Sequence, residues 1–104
     1  MYRVEITAQA RGDADAAHAW MTEHISRAHA DEWYRELFHQ IETLKRHPTR
    51  CAIAAESGKF TQEIRELVYG KGRHKQKYRI LFAIGEEVVT VLYIYHSSRK
   101  ELEP

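Results

Sequence analysis

The sequence contains a single cysteine, Cys51, in 104 residues, so no disulfide bond can form within it. A lone cysteine fits a reducing compartment, where disulfides are rare. The sequence also lacks any apolar run approaching the roughly 20 residues of a membrane-spanning helix, and its N-terminal residues show no apolar signal core. We therefore expect a cytoplasmic protein that folds as a single domain over residues 1–104.

A large excess of charge of one sign is also missing, because the net charge is +1 at pH 7. Proteins that depend on broad contact with nucleic-acid phosphates are usually far more basic. The charge is nevertheless uneven: residues 1–56 contain 7 basic and 9 acidic side chains, whereas residues 57–104 contain 9 basic and 6 acidic. We predict a local patch that binds nucleic acid or an acidic partner. Its side chains are Arg65, Lys71, Arg73, Lys75, Lys77 and Arg79.

Motifs for metal or cofactor chemistry are not found in the sequence. The seven histidines are dispersed, none forms an HxxxH pair, and Cys51 has no CxxC partner, so zinc-ligand spacing is missing. Residues 70–75, GKGRHK, lack the GxxxxGK spacing of a phosphate-binding loop and do not lead into a helix. No GxSxG nucleophile motif occurs. We predict no metal ion and no cofactor.

Residues 64–96 give the strongest secondary-structure signal. β-branched and aromatic residues dominate residues 77–84 and 88–96, which is typical of half-buried strands, and residues 64–69 also read as a strand. The Gly85-Glu86-Glu87 connection indicates a short hairpin in which the glycine supplies an unusual backbone conformation. These features predict an antiparallel three-strand meander.

The N-terminal half of the sequence predicts one strand and two helices. Residues 2–7 alternate apolar and polar side chains, and Thr7 is a suitable N-cap for a helix over residues 8–27. A second helix is expected over residues 30–47, because apolar residues recur there at helical spacing. Each helix has one apolar stripe, so an antiparallel hairpin should cover one face of a single antiparallel sheet. This arrangement is a two-layer α+β fold. Residues 49–61 are predicted to be a loop with some extended backbone.

Three side chains in the strand-rich part of the sequence have possible catalytic chemistry. Arg79 lies within a strand suited to burial, and a buried guanidinium needs a partner. His96 has the chemistry to move a proton near neutral pH, and Arg99, like Arg79, has the planar fork that binds phosphate or carboxylate. In a purely structural alternative, Arg79 pairs with a sheet carboxylate such as Glu66 and His96 simply ends a strand. Residue chemistry alone favours the structural alternative.

The order of these elements resembles the RelE/ParE superfamily, the toxins of type II toxin–antitoxin modules. The similarity extends over nearly the whole sequence. It rests on the pieces IREL, YGK, YRILF and HSSR, on a valine-rich strand, and on Ala10, Trp20, Ala30, Trp33, Leu44 and Pro48. It implies a growth-inhibiting toxin that is neutralised by a cognate acidic antitoxin encoded beside it. It also implies that the first strand lies beside the last, and that the antitoxin covers the open sheet face or the helical hairpin.

The resemblance implies two alternative targets. Relatives of the RelE kind cleave ribosome-bound mRNA, and Arg79 and Arg99 match two arginines of their site, while His96 lies nearly in register with a catalytic histidine of some members. Relatives of the ParE kind inhibit DNA gyrase and are not known as nucleases. The low net charge, the long helical hairpin and the lack of a counterpart to the C-terminal tyrosine of other nucleases favour the gyrase alternative, under which the protein is not an enzyme. A third alternative is an RNA- or protein-binding module without toxicity.

Overall fold

The computed structural model describes residues 1–70 and 77–96, which form two α-helices and five β-strands. In chain order they are β1 (Arg3–Ile6), α1 (Ala8–His24), α2 (Arg27–Glu42), β2 (Ala52–Ile53), β3 (Arg65–Tyr69), β4 (Tyr78–Ile84) and β5 (Val88–His96). Short 3-10 helices lie between α2 and β3, over Thr43–Lys45, Pro48–Arg50 and Ala55–Lys59. Within the described ranges, neither α-helix has the length and hydrophobicity that crossing a membrane requires.

The strands form one mixed sheet in the order β1-β5-β4-β3-β2. Strands β2 to β5 pair antiparallel with their neighbours in sequence, which confirms the predicted meander and adds β2 to it. β1 lies beside β5, as the family resemblance implied, and Arg3 pairs with Val88. These two strands are parallel, however, so the prediction of an entirely antiparallel sheet is wrong. Parallel neighbours need a long crossover connection, and the helical hairpin between β1 and the meander provides it.

Polar caps define the starts of both helices. The Thr7 hydroxyl accepts a hydrogen bond from the backbone N–H of Ala10 at 3.1 Å, which confirms the predicted cap. The Ser26 hydroxyl accepts from the N–H of His29 at 3.0 Å. This second cap starts α2 at Arg27 rather than at residue 30. Because α1 ends at His24, two residues separate the helices, as many as predicted.

The ends of both helices also come earlier than predicted. α1 ends at His24 instead of residue 27, and α2 ends at Glu42 instead of residue 47. After α2 the chain tightens into the 3-10 turn Thr43–Lys45 and then reverses at His47, which has a left-handed backbone with φ of 47°. A left-handed residue cannot continue a right-handed helix, so the α-helical pattern stops before it.

The main hydrophobic core lies between the two helices and one face of the sheet. Its fully buried side chains come from both layers and include Met21, Leu37, Ile41, Leu44, Ile80, Phe82, Val89 and Val91. Both helices therefore cover the same face of the sheet, and the predicted two-layer α+β fold is confirmed.

The opposite face of the sheet is partly covered by residues 54–60, which we call the covering segment. A second apolar cluster joins this segment to the sheet through Ala54, Phe60, Ile64, Leu81, Ala83, Leu92, Tyr93 and Tyr95. Residues 49–61, predicted as a loop, thus contain β2 and the 3-10 helix Ala55–Lys59. The face that we expected to be open for the antitoxin is therefore occupied in part by the chain itself.

The β4–β5 hairpin is tight for a different reason from the one predicted. The N–H of Gly85 donates to the carbonyl oxygen of Val88 at 2.7 Å, and the Gly85 backbone does not adopt the left-handed region. A Cβ atom at this position would lie 3.3 Å from the Val88 carbonyl oxygen and 3.4 Å from Val88 Cγ1. Glycine therefore permits the close approach of the two strands here, rather than an unusual backbone conformation.

Candidate functional site

Arg79 on β4 is surrounded by hydrogen-bonding side chains. Its Nη1 and Nη2 atoms donate to the two carboxylate oxygens of Glu56 at 2.7 and 2.6 Å, and Nη2 also donates to Glu66 Oε1 at 2.7 Å. Nη1 lies 3.1 Å from the Tyr95 hydroxyl, which in turn donates to Glu56. We call these four side chains the Arg79 cluster. The predicted pairing of Arg79 with Glu66 is confirmed, and Glu56 is a second carboxylate partner that the sequence did not indicate.

Strand pairing and one irregularity bring Tyr95 into the cluster. Tyr95 lies opposite Arg79 in the β4–β5 ladder, but a register shift leaves Leu92 as an extra residue in β5. Side chains alternate between the two faces of a strand, and a bulge reverses the alternation beyond it. Tyr95 therefore shares a face with Arg79, whereas Val91, before the bulge, points into the core between helices and sheet.

Thr7 and helix α1 form hydrogen bonds with two backbone groups of β5 beside the bulge. The Thr7 hydroxyl donates to the Leu92 carbonyl oxygen at 3.3 Å, and the Asp13 carboxylate accepts from the N–H of Ile94 at 3.0 Å. Gln9 donates to the other oxygen of Asp13 at 2.8 Å and holds that carboxylate in place. Buried backbone groups need such partners, so α1 stabilises the geometry on which the Arg79 cluster depends.

The Arg79 cluster is withdrawn from solvent and carries more negative than positive charge. Glu56 is fully buried, and 13% of the Arg79 side chain is exposed. Hydrogen bonds from Arg79 lower the pKa of Glu56 to about 2, so its carboxylate is ionised at neutral pH. Glu56 raises the pKa of Arg79 in return, and burial raises the pKa of Tyr95. One guanidinium thus serves two carboxylates and offers no uncompensated positive charge to a phosphate.

His96 lies on the other face of the sheet from the Arg79 cluster. It pairs with Tyr78 in the β4–β5 ladder, and the two rings meet edge to face with centroids 5.3 Å apart. The centroids of the Tyr78 and Trp33 rings are 4.9 Å apart, and Trp33 belongs to α2. Tyr78 and His96 therefore lie on the face of the sheet that the helices cover. The structure therefore separates His96 from Arg79. Arg99, the third predicted catalytic residue, lies outside the described residues.

The predicted basic patch divides into side chains of different kinds. Arg65 donates to the carbonyl oxygens of Thr49 and Cys51 at 3.1 and 2.7 Å and forms an ion pair with Glu63 at 3.0 Å. Its guanidinium therefore connects β3 to the residues just before β2 through these hydrogen bonds. Lys77, by contrast, is exposed just before β4. The remaining predicted members, Lys71, Arg73 and Lys75, lie outside the described residues.

Comparison with known proteins identifies the family. Residues 4–101 match the family described as the ParE toxin of the type II toxin–antitoxin system, parDE. The chain belongs to the ParE toxin family. A chain from the structure titled "Chromosomal ParDE TA system from P. aeruginosa" has the same fold, with a TM-score of 0.72 and 19% sequence identity over 92% of this chain and 96% of that chain. No curated protein sequence matches the chain significantly. The protein is thus a type II toxin with a cognate antitoxin as its partner.

The described residues outside the Arg79 cluster contain no grouped metal ligands and no activated thiol. In residues 1–70 and 77–96, no three His, Cys, Asp or Glu side chains are grouped so that they would hold a metal ion. Cys51 is buried, and burial raises the pKa of its thiol, so the thiol is mainly protonated and weakly nucleophilic at neutral pH. The Arg79 cluster therefore stands out in the described part of the toxin, because it contains the fully buried carboxylate of Glu56 and the largely buried guanidinium of Arg79.

Proposed function

We propose that the toxin stops growth by binding DNA gyrase and inhibiting it, rather than by cleaving RNA. The observation that carries this proposal is the double hydrogen bond between Arg79 and the fully buried Glu56. In a nuclease of this superfamily this arginine would bind the scissile phosphate. In this toxin the same guanidinium binds a buried carboxylate of its own chain.

The physical argument concerns the needs of phosphodiester cleavage. The transition state gains negative charge, which preorganised cations must stabilise, and a nearby group must move a proton. In this toxin Arg79 is already compensated by Glu56 and Glu66, and His96 lies on the opposite face of the sheet. A toxin that acts by binding needs neither feature, because its effect depends on a surface and a few anchoring side chains.

Two measurements on the wild-type toxin separate the alternatives. Purified toxin should inhibit supercoiling by purified gyrase, and transcript ends mapped during induced growth arrest should show no new cuts. Codon-phased cuts in ribosome-bound transcripts together with normal supercoiling would refute the proposal and favour the ribonuclease alternative.

A double variant tests the role of the Arg79 cluster without leaving the fully buried Glu56 carboxylate unpaired, because the one carboxylate that then loses its cation, Glu66, is partly exposed to solvent. Replacing a buried ion pair with apolar residues of similar volume is often neutral for stability. We expect Arg79→Met combined with Glu56→Met to fold and to inhibit gyrase as the wild type does. Loss of toxicity in this folded variant, measured beside its thermal melting, would show that the cluster acts on the target directly.

We further propose that the toxin acts in the cytoplasm and that its acidic antitoxin binds the basic patch. Exposed Lys77 and its neighbours in sequence, Lys71, Arg73 and Lys75, supply the direct contacts. Arg65 and Arg79 contribute less, because their guanidinium groups are engaged within the chain. A disordered acidic segment that folds on such a surface gains electrostatic steering.

A further inference from the structure

The outer side of the helical hairpin is joined by three contacts between α1 and α2. The Arg11 guanidinium lies 5.5 Å from the centre of the Phe38 ring. Asp15 accepts a hydrogen bond from the Tyr34 hydroxyl at 2.7 Å. One turn further along, His18 Nε2 lies 2.7 Å from a carboxylate oxygen of Asp31. Residues spaced three or four apart share one helix face, so these contacts form a single row along the hairpin.

An open groove of about 480 Å³ lies in this row. Its lining residues are Arg11, Asp31, Tyr34, Arg35 and Phe38. The half-buried rings of Tyr34 and Phe38 lie 4.8 Å apart and supply the apolar part of the lining. Aromatic side chains of this kind provide a large contact area at little conformational cost, and they are enriched where proteins bind one another.

The two acidic side chains of the row are engaged by neighbours in the chain. Asp15 is bound to Tyr34, and Asp31 is bound to His18 and lies 3.7 Å from Arg27. The hydrogen bond with His18 also lowers the pKa of Asp31, so that carboxylate is ionised at neutral pH. Neither acid is therefore directed at a partner.

Arg35 differs from these acids. It is exposed, and within the described ranges it makes no hydrogen bond or ion pair. Arg11, the other arginine of the groove, lies over the Phe38 ring. The groove thus combines an aromatic lining with one arginine fork that forms no hydrogen bond or ion pair with a carboxylate among the described residues, although its charge also acts on the nearby Asp31 carboxylate. Such a fork binds a carboxylate through two parallel hydrogen bonds.

We propose that this groove is the docking site for an acidic protein segment with an apolar side chain, supplied by the protein that the toxin inhibits. The segment's carboxylate binds Arg35, and its apolar side chain packs on Tyr34 and Phe38. The proposal rests on the proposed function, because it needs a protein target. We assign the groove to the target rather than the antitoxin because the basic patch belongs to other elements, β3, β4 and their connection.

The test reverses the charge of Arg35 and compares it with a second exposed arginine. The variants are Arg35→Glu and, as the control, Arg46→Glu, which lies beyond the end of α2. For Arg35→Glu we expect the toxin concentration that half-inhibits growth or gyrase supercoiling to rise by about tenfold, as for loss of one anchoring contact. The control should resemble the wild type, and thermal melting and antitoxin binding should be unchanged in both. Arg35→Ala should reduce the inhibitory potency by a smaller factor. If Arg35→Glu alters folding, Arg35→Ala is used for the comparison instead.

The remaining outcomes each decide a point. Growth arrest by Arg35→Glu equal to that of the control overturns the proposal. So does weakened antitoxin binding with unchanged growth arrest, because the groove would then belong to the antitoxin. If the wild type arrests growth without affecting gyrase, the gyrase proposal fails instead. The growth comparison of Arg35→Glu with Arg46→Glu still decides whether the groove binds the target.

Discussion

At the scale of single residues, Arg79 shows that the surroundings of a charged side chain decide what it can do. A guanidinium fork suits phosphate and carboxylate equally well. In this toxin the fork is taken by Glu56 and Glu66, both within 2.7 Å of it. The interaction is mutual, because a fully buried Glu56 carboxylate would be very unfavourable without a cation beside it. The covering segment is therefore held on the sheet by charge as well as by its apolar side chains.

Glu56 should make the toxin sensitive to acid. Its pKa is about 2 in the folded protein, below the ordinary 4.5, so the unfolded chain takes up its proton first as the pH falls. The stabilisation is fully present above pH 4.5 and is lost between 4.5 and 2, by about 3 kcal/mol. Chemical denaturation at several pH values should show this loss. In Glu56→Gln the loss should be smaller, whereas the exposed-site control Glu86→Gln should follow the wild type.

The Arg79–Glu56 pair should also show strong coupling between the two residues. Arg79→Met alone leaves Glu56 buried without its main partner, which typically costs about 3–5 kcal/mol. Adding Glu56→Met removes the fully buried carboxylate and leaves only the partly exposed Glu66 without its cation, so the double variant should be more stable than Arg79→Met alone. Denaturant unfolding of the wild type, both single variants and the double variant measures this coupling. Additive losses would show that the pair is not the main support of the covering segment.

Sequence reasoning found one of the two carboxylate partners of Arg79 and missed the other. Glu66 was identified because it is the lone acid in a basic stretch and lies on the neighbouring strand. Glu56 lies in a segment without periodicity, and its position over Arg79 depends on how residues 54–60 fold back across the sheet. No local pattern encodes that contact. The separation of His96 from Arg79 also depends on long-range contacts. Only the pairing of β4 with β5 shows that the two side chains lie on opposite faces of the sheet.

At the scale of secondary-structure elements, strands were predicted better than helix boundaries. β5 has the predicted bounds, and β4 begins one position later than predicted, because β-branched and aromatic runs mark strands clearly. Helix ends depend on single polar caps. The apolar pattern of the first helix reaches Ile25, which predicts a helix to residue 27 and leaves the Ser26 cap inside it. The parallel pairing of β1 with β5 follows from the path of the whole chain, which no single segment reveals.

Ser26 should therefore contribute measurably to stability. Ser26→Ala removes the oxygen that accepts from the N–H of His29 and leaves the start of α2 uncapped. We expect a loss of about 1 kcal/mol in the free energy of unfolding. Thr61→Ala, at an exposed position outside the helices and strands, is the control. Equal effects of the two substitutions in denaturant unfolding would contradict the assigned cap.

At the scale of the whole molecule, the two layers present different chemistry. The helical layer has an aromatic groove with an exposed arginine, whereas the described part of the sheet layer has exposed Lys77 just before β4 and a neutralised arginine, Arg79, beneath the covering segment. A small toxin therefore has room for two partners of similar charge on different elements. Which partner each surface binds is a separate question from the fold, and separate variants answer it.

Lys77 should affect the antitoxin more than the target. Lys77→Glu places a negative charge in the basic patch, so the acidic antitoxin should associate several-fold more slowly, and the difference should shrink as salt is added. Surface plasmon resonance at two salt concentrations measures this, with Arg46→Glu again as the control. Growth arrest by Lys77→Glu in the absence of antitoxin should match the wild type. An unchanged association rate would place the antitoxin on another surface.

The pairing of β1 with β5 has a consequence for the synthesis of the toxin. β1 leaves the ribosome early, but the strand beside it is the last of the described elements to emerge. At about 5–20 residues per second, several seconds separate the two strands, and long-range pairings of this kind form late in folding. During that interval β1 has no neighbouring strand, and α1 lacks its hydrogen-bond partner on β5. Synthesis of β5 thus delays the formation of folded toxin, and antitoxin that is already present can bind the toxin as soon as the sheet is complete.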